Sequence, residues 1–329
     1  MELDQAELGT RNSEPGTRIQ DGDSYLLIVA GIGGEEAYRA AFTEWGASLA
    51  EAAVEKHGLP RANVTFLTEQ PERAPEWTSG KATKAEIEQT VASLASKAGA
   101  DDQVFVVLIG HGSYQSGESR FNVVGPNLTA EDLAVLLEAF GGTRVALVYA
   151  GSASGEVIKT LAADNRVIAT ATKSGMERNA SVFGKYFAEA YAGDGADTDK
   201  DGRVSLLEAF TFARLQVERE YRDGNRLLTE HAVLDDTGAG AGTAEPDAEQ
   251  GQGILAASMF IGGMMGAAAA DATPELRALY GQKRQLEQEL AALRANKAGM
   301  EQAAYDRELE RLLVELAKVD GHIRTMEGR

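Results

Sequence analysis

The chain contains no cysteine in 329 residues, and histidine and tryptophan are also rare, with four and two residues. The absence of cysteine excludes disulfides, thiolate metal sites and cysteine catalysis in the chain as written, although it does not fix the compartment. Basic residues are scarce too: 32 Lys and Arg stand against 51 Asp and Glu, a formal net charge of −19. This charge repels nucleic acid and anionic membranes and favours cationic partners or metal ions. Nucleic-acid binding is therefore not expected.

Two targeting features are also missing. Residues 1–23 are acidic and lack the apolar core of a secretory signal, and we expect this segment to be disordered. The protein is then either cytoplasmic, or periplasmic or secreted after removal of a signal peptide. Residues 254–270 form an apolar run diluted by Gly and Ala, at the lower length limit for a bilayer span. We predict a buried strand or packed helix there and no stable membrane span.

Strand and helix patterns alternate regularly over residues 24–235. Val104–Gly110 and Val145–Ala150 are continuous apolar runs, which indicate strands buried on both faces of a sheet. Further strands are predicted at 25–31, 63–68, 121–124 and 167–172, and helices at 35–56, 83–98, 156–162 and 181–191, with another capped by Thr129 and Asp132. The alternation predicts an α/β domain with a mostly parallel sheet flanked by helices.

The composition changes after this domain. Residues 236–253 are rich in Gly, Ala, Asp and Glu, which predicts a flexible linker. Beyond Pro274, within the segment 254–329, leucines recur with coiled-coil spacing, but two registers fail to join across residues 296–299. A helical hairpin and one long helix with a phase shift both fit, and we favour the hairpin. These helices either pack against the α/β domain or mediate homo-oligomerisation or capture of a partner helix.

An acidic loop at residues 197–208 has the spacing of an EF-hand calcium loop. Acidic residues occupy positions one, three and five, Gly202 provides the sharp turn at position six, and position twelve is Glu. The alternative is a solvated acidic turn, and the poor helix pattern before the loop favours a single structural site. The predicted Ca2+ ligands are Asp197, Asp199, Asp201, the Arg203 carbonyl, Ser205 directly or through water, and Glu208.

Both buried strands end in residues that can carry chemistry. His111 and Gly112 follow the first strand, and the turn Gly151-Ser152-Ala153-Ser154-Gly155 follows the second. A histidine and a hydroxyl can form a base and nucleophile dyad, with the Gly112 N–H stabilising an oxyanion. The alternatives are a structural histidine and a serine that only forms the turn.

These strand ends resemble those of the caspase-like (clan CD) peptidases. Residues 109–112, Ile-Gly-His-Gly, are similar to the family's histidine motif, and residues 151–155 resemble the nucleophile turn of the legumain branch. Ser152 then stands where that branch has its catalytic cysteine. The strand at 167–172 and the helix residues 183–187 add to the resemblance, which covers roughly residues 24–236. It is closest to bacterial legumain-like proteins, which often carry such a calcium-type loop.

The resemblance implies an endopeptidase with a thiolate nucleophile, a histidine acting as acid and base, and backbone N–H groups that hold the oxyanion. Ser152 departs from it at the reactive atom, because a serine hydroxyl needs much stronger base assistance than a thiol. Ala153 and Lys185 also stand where acidic pocket residues would be, so a preference for Asn or Asp in the substrate does not transfer.

Three hypotheses for function follow. The favoured one is a pseudopeptidase or weakly active peptidase that binds a polypeptide or a partner protein. The second is a cysteine endopeptidase captured as an inactivating Cys-to-Ser variant. The third is a serine hydrolase with a Ser152 and His111 dyad, in which Glu118, Glu156 or Glu177 orients the histidine.

Overall fold

A computed structural model describes residues 22–262, 273–295 and 297–327. Its centre is a seven-stranded sheet, and a separate three-stranded sheet stands beside it. The strands are β1 Ser24–Ala30, β2 Val64–Thr68, β3 Gly80–Lys81, β4 Gln103–Gly110, β5 Gly112–Gln115, β6 Glu118–Phe121, β7 Leu128–Thr129, β8 Arg144–Gly151, β9 Arg166–Thr170 and β10 Val233–Asp235. The large sheet has the order β10-β9-β8-β4-β1-β2-β3, and only β10 runs antiparallel to its neighbour. The predicted α/β class with a mostly parallel sheet is confirmed.

Helices cover both faces of this sheet. They are α1 Glu36–Glu51, α2 Lys84–Lys97, α3 Ala130–Glu138, α4 Val157–Leu161, α5 Phe183–Ala192, α6 Leu206–Asp223, α7 Ile254–Ala257, α8 Pro274–Ala295 and α9 Gln302–Glu327. Alternate residues of β1 face opposite layers: Ile28 belongs to the same core as Phe42 of α1, whereas Leu27 belongs to the core that contains Ile87 of α2. The period of two along a strand therefore builds two cores, one on each face of the sheet. The predicted caps also form, with the Thr83 hydroxyl accepting from an N–H of α2 and a capping box at Thr129.

The sequence does not predict the small sheet, in which the strand order is β5-β6-β7. The sequence predicted one strand at 121–124, whereas β6 ends at Phe121 and pairs antiparallel with β5 and β7. A two-residue loop, Ser116 and Gly117, joins β5 to β6, and both residues have positive φ, 55° and 88°. Such a pair is typical of the tight turn that matches the twist of a hairpin.

The segment 236–253, which its composition predicts to be a flexible linker, makes directed hydrogen bonds to neighbouring elements. Asp236 accepts hydrogen bonds from the backbone N–H of Gly253 at 2.8 Å and of Leu255 at 2.9 Å. The backbone of Thr243 also exchanges two hydrogen bonds with Leu234 of β10, at 2.8 and 2.9 Å. Aspartate side chains thus fix the turns of a segment that has few apolar residues of its own.

The C-terminal helices form the favoured hairpin. A short 3₁₀ turn at Lys297–Gly299 lies between α8 and α9. Ion pairs join Lys283 to Asp320 at 2.9 Å and Arg311 to Glu289 at 3.3 Å, which sets the helices antiparallel. Their shared core contains Leu286, Leu290, Leu293, Tyr305, Leu312, Val319 and Ile323.

Two predictions fall partly beyond the described ranges. Residues 1–21 of the expected disordered segment lie outside them, as do residues 263–270 of the apolar run. Residues 254–257 of that run form the short helix α7, in which Ala256 is buried. Within the described ranges, no helix has the length and apolarity needed to cross a bilayer.

Candidate functional site

The two predicted strand ends lie side by side. β4 and β8 are parallel neighbours at the centre of the sheet, and Gly110 pairs with Gly151 at their carboxyl ends. His111 and Ser152 therefore emerge next to each other at the same edge of the sheet. This edge is where parallel α/β sheets place ligands and chemistry.

Ser152 is held by Gly112. The Gly112 N–H donates to Ser152 Oγ at 3.2 Å, and the Ser152 hydroxyl donates to the Gly112 carbonyl at 3.2 Å. The serine is 2% exposed. Across the described ranges the Ser152 hydroxyl makes no hydrogen bond to His111. The Gly112 N–H, the predicted oxyanion donor, thus lies next to Ser152 Oγ. His111, the predicted base, is not hydrogen-bonded to that oxygen.

Glycine is required at position 112 by close packing. A Cβ on Gly112 would lie 2.1 Å from Tyr149 Oη and 2.4 Å from the Ser152 carbonyl oxygen. Tyr149 is 1% exposed, and its hydroxyl donates to the Arg120 carbonyl at 2.9 Å. The histidine loop can approach the serine turn only because residue 112 has no side chain.

His111 is surrounded by aromatic side chains of α1. Its ring meets Tyr38 edge-on at 4.8 Å and Phe42 at 5.0 Å between centroids. Burial lowers the pKa of His111, and a hydrogen bond to the Gly33 backbone and the charge of Glu35 oppose this shift only in part. A lowered pKa keeps the imidazole neutral near pH 7, which is the form that accepts a proton. No motif in the sequence points to Tyr38 and Phe42, although their spacing of four places both on one face of α1.

The three carboxylates proposed to orient His111 all have other partners. Glu118 pairs with Arg120, Glu156 with Lys159 at 2.8 Å, and Glu177 with Nδ1 of His231 at 2.5 Å. Glu35, at the start of α1, is the acidic residue whose charge acts on His111. The orienting role predicted for Glu118, Glu156 or Glu177 is therefore not seen in this arrangement.

A second loop, residues 171–182 after β9, is bonded to the serine turn. The hydroxyls of Ser154 and Thr172 lie 3.1 Å apart, and the Thr172 N–H donates to Ser154 Oγ at 3.2 Å. The Gly155 N–H donates to Thr172 Oγ1 at 3.1 Å. Ser154 is fully buried and is thus a structural part of the turn.

Ala153 has an unusual backbone. Its φ is +53°, in the left-handed region that favours glycine. Its N–H donates to the Glu177 carbonyl at 2.7 Å. Lys185, the other departure from the family pattern, lies on α5 and pairs with Glu220 at 3.2 Å. Neither position offers an acidic pocket group.

The calcium-type loop brings together three of its predicted ligands. Carboxylate oxygens of Asp197, Asp199 and Glu208 all lie within 4.8 Å of one another. Gly202 makes the predicted sharp turn with φ +86°. Burial, together with the charges of Asp201 and Glu208, raises the pKa of Asp199 to about 6. The charges of Asp201, Glu208 and Asp197 act in the same direction as burial, so the loop concentrates negative charge around Asp199.

Asp201, Arg203 and Ser205 have other interactions. Asp201 accepts from the Arg203 guanidinium at 2.8 and 3.1 Å, and this guanidinium also stacks on Phe260 at 4.0 Å. The Ser205 hydroxyl forms a capping box with Glu208 at the start of α6. The loop is thus tied both to α6 and to the segment that follows α7.

Comparison with known proteins gives no family. No family model matches the chain, and no curated protein matches it. Among solved structures, the chain is similar to the crystal structure of protein GSU0716 from Geobacter sulfurreducens. The two share 15% identity over 59% of this chain and 89% of the other, with a TM-score of 0.39.

Proposed function

We propose that this protein is a legumain-like peptidase homologue in which Ser152 takes the place of the catalytic cysteine, and that it binds a polypeptide or a partner protein with little or no cleavage. The observation that carries the proposal is the 3.2 Å contact between the Gly112 N–H and Ser152 Oγ at the ends of adjacent strands. This contact supports the proposal, because a backbone N–H beside the reacting side chain is the arrangement that stabilises an oxyanion, and the neighbouring His111 has a lowered pKa.

The same geometry argues for weak activity. A serine nucleophile needs a base within hydrogen-bonding distance, and Ser152 is bonded to Gly112 instead. A cysteine thiol depends less on such contact, because a few per cent of it is already ionised near neutral pH. The arrangement therefore supports a pseudopeptidase over a serine hydrolase, and it leaves a Cys-to-Ser variant of an active enzyme as the second candidate.

A side-by-side cleavage assay tests the proposal. The chain as given and its Ser152→Cys variant are incubated with a peptide library, and products are identified by mass spectrometry. We expect cleavage by Ser152→Cys and its loss when His111→Ala is added. Ser154→Cys is the matched control, because it introduces the same thiol two residues away at a fully buried position. A folded Ser152→Cys protein that cleaves nothing, or no more than Ser154→Cys, would contradict position 152 as the nucleophile site. Cleavage by the chain as given would contradict the proposed lack of activity.

We also propose that residues 197–208 bind Ca2+ as a structural brace. The oxygen-only set of Asp197, Asp199 and Glu208 suits a hard cation, with Asp201, the Arg203 carbonyl and Ser205 as the remaining motif ligands. A bound ion would neutralise the mutual repulsion of these carboxylates at the start of α6.

Melting curves test the calcium proposal. With free Ca2+ at 100 times its Kd, we expect about 2.7 kcal/mol of stabilisation relative to chelator-treated protein. Asp199→Asn should remove most of the increase. Asp194→Asn should leave it, because Asp194 is fully exposed, precedes the loop and pairs with Lys56. An unchanged melting temperature on adding Ca2+ would refute the site.

The C-terminal hairpin is proposed to mediate self-association. Its α9 helix leaves Leu313 and Val314 exposed at 44% and 47%, beside acidic side chains. Oligomers in light scattering should disappear when residues 274–329 are removed. A chain that is monomeric at all concentrations would count against this role.

A further inference from the structure

The serine turn is held by an acid and histidine pair that the proposed chemistry does not use. Glu177 lies in the loop after β9, and His231 lies just before β10, 54 residues further along the chain. Their contact, His231 Nδ1 to Glu177 Oε1, is 2.5 Å long. A carboxylate only accepts hydrogen bonds, so Nδ1 carries the proton in this contact.

Glu177 joins three segments of backbone. Its carboxylate accepts from the Lys173 N–H at 3.1 Å and from the His231 N–H at 3.2 Å. Its own carbonyl accepts from the Ala153 N–H at 2.7 Å. The side chain is 12% exposed, so these bonds form largely out of water. The carboxylate of Glu177 therefore fixes the backbone of its own loop. Because the Glu177 carbonyl belongs to that backbone, its hydrogen bond in turn fixes Ala153, the residue that follows Ser152.

Ala153 needs such support. A non-glycine residue in the left-handed region is strained, and this conformation persists only where neighbouring contacts hold it. Ala153 has φ +53° and is 1% exposed. If its N–H lost the Glu177 carbonyl, the residue could relax to a common backbone conformation. That rotation would turn the preceding side chain away from the Gly112 N–H.

We infer that Glu177 and His231 are positioning residues, which fix the backbone at Ala153 so that the side chain at position 152 lies against the Gly112 N–H. This inference rests on the proposed function, because the position matters for chemistry only if residue 152 is the nucleophile site. Neither residue touches the reacting atoms. Their effect passes through the backbone of the turn.

The test uses the reactivity of a thiol at position 152. In the Ser152→Cys protein, the rate of alkylation by iodoacetamide is measured across a pH range, together with the melting temperature. Glu177→Ala and His231→Ala should each lower the rate about tenfold and shift its pH midpoint, since each removes hydrogen bonds to a charged group. His231→Asn should restore most of the rate, because its amide N–H can replace Nδ1–H.

Glu156→Ala is the matched control, since Glu156 adjoins the same turn and, among the described residues, its carboxylate pairs with Lys159 alone. Its alkylation rate should stay within about twofold of the parent, as for a surface pair of little energy. Should Glu177→Ala fail to fold, Glu177→Gln, which keeps one acceptor oxygen, is expected to show a smaller loss in the same direction. A lower melting temperature with unchanged alkylation would overturn the inference and leave a purely structural pair.

The same variants separate the inference from the proposed function. If Ser152→Cys cleaves no peptide but its alkylation falls with Glu177→Ala, the proposed function fails and the positioning role stands. If Ser152→Cys cleaves peptides and Glu177→Ala changes neither kcat nor alkylation, the positioning role fails and the proposed function stands.

Discussion

Replacing Gly112 by alanine tests the packing that brings the two strand ends together. The new Cβ would lie 2.1 Å from Tyr149 Oη and 2.4 Å from the Ser152 carbonyl oxygen. Both distances are far below contact, so the tyrosine ring and the serine turn must move. Tyr149 has little freedom, because it is 1% exposed and packs edge-on against Phe121 at 5.3 Å.

The expected cost has two parts. Forcing extra volume into a packed interior destabilises a protein by about 1–3 kcal/mol. Displacing the Tyr149 hydroxyl also breaks its 2.9 Å bond to the Arg120 carbonyl, worth about 0.5–1.5 kcal/mol net. Gly112→Ala should therefore lower the free energy of unfolding by about 1.5–4.5 kcal/mol.

A double-mutant cycle makes the assignment specific. Tyr149→Phe removes the nearer of the two clashing atoms, so adding it to Gly112→Ala should cost less than the sum of the single changes, by about 1 kcal/mol. The Ser152 carbonyl still blocks the Cβ, so the double variant should remain less stable than Tyr149→Phe alone.

Urea unfolding measures each variant through the midpoint at constant slope. Gly142→Ala is the control, because a Cβ there meets no atom within 4 Å. The packing argument would be refuted if the double variant lost as much stability as the two single variants together. It would also be refuted if Gly112→Ala were as stable as Gly142→Ala.

Three further outcomes are expected. Glu230→Ala should cost about 3 kcal/mol in urea unfolding, since the 3% exposed carboxylate accepts from the Val182 and Phe183 N–H groups at the start of α5; a loss below 1 kcal/mol would contradict this. Burial lowers the pKa of His57 as it does that of His111, so the unfolded chain binds more protons and stability should fall as pH drops through about 6.5. His57→Gln should flatten the dependence of the urea midpoint on pH, and an unchanged slope would argue otherwise. Leu312→Ala, at a 1% exposed position of α9 facing α8, should lower the free energy of unfolding by about 2–5 kcal/mol. Leu313→Ala, at a 44% exposed position, should lower it far less. Equal melting curves for the two variants would contradict the hairpin core.

The elements that the sequence could predict are those with strong local signals. The apolar runs of β4 and β8 and the caps at Thr83 and Thr129 lie where the sequence predicts them. These features depend on residues a few positions apart, so periodicity and capping chemistry suffice to find them. The side-by-side placement of His111 and Ser152 then follows, because parallel strands end at one edge.

What the sequence could not show depends on contacts between distant residues. Glu177 was a candidate to orient His111, but it bonds to His231 instead, and no local pattern links residues 54 positions apart. The three-residue strand β10 is too short for a periodic signal. Residues 236–253 look like a linker in composition, yet Asp236 holds them through directed hydrogen bonds that composition does not encode.

We propose that position 152 is a peptidase nucleophile site from which the sulfur is missing. The most direct measurement is intact-mass labelling of Ser152→Cys with peptides carrying a thiol-reactive electrophile, beside the chain as given. The account predicts a single adduct at residue 152, lost on His111→Ala, and no adduct on the chain as given. A folded Ser152→Cys protein that stays unlabelled, or labelling that is unchanged by His111→Ala, would contradict it.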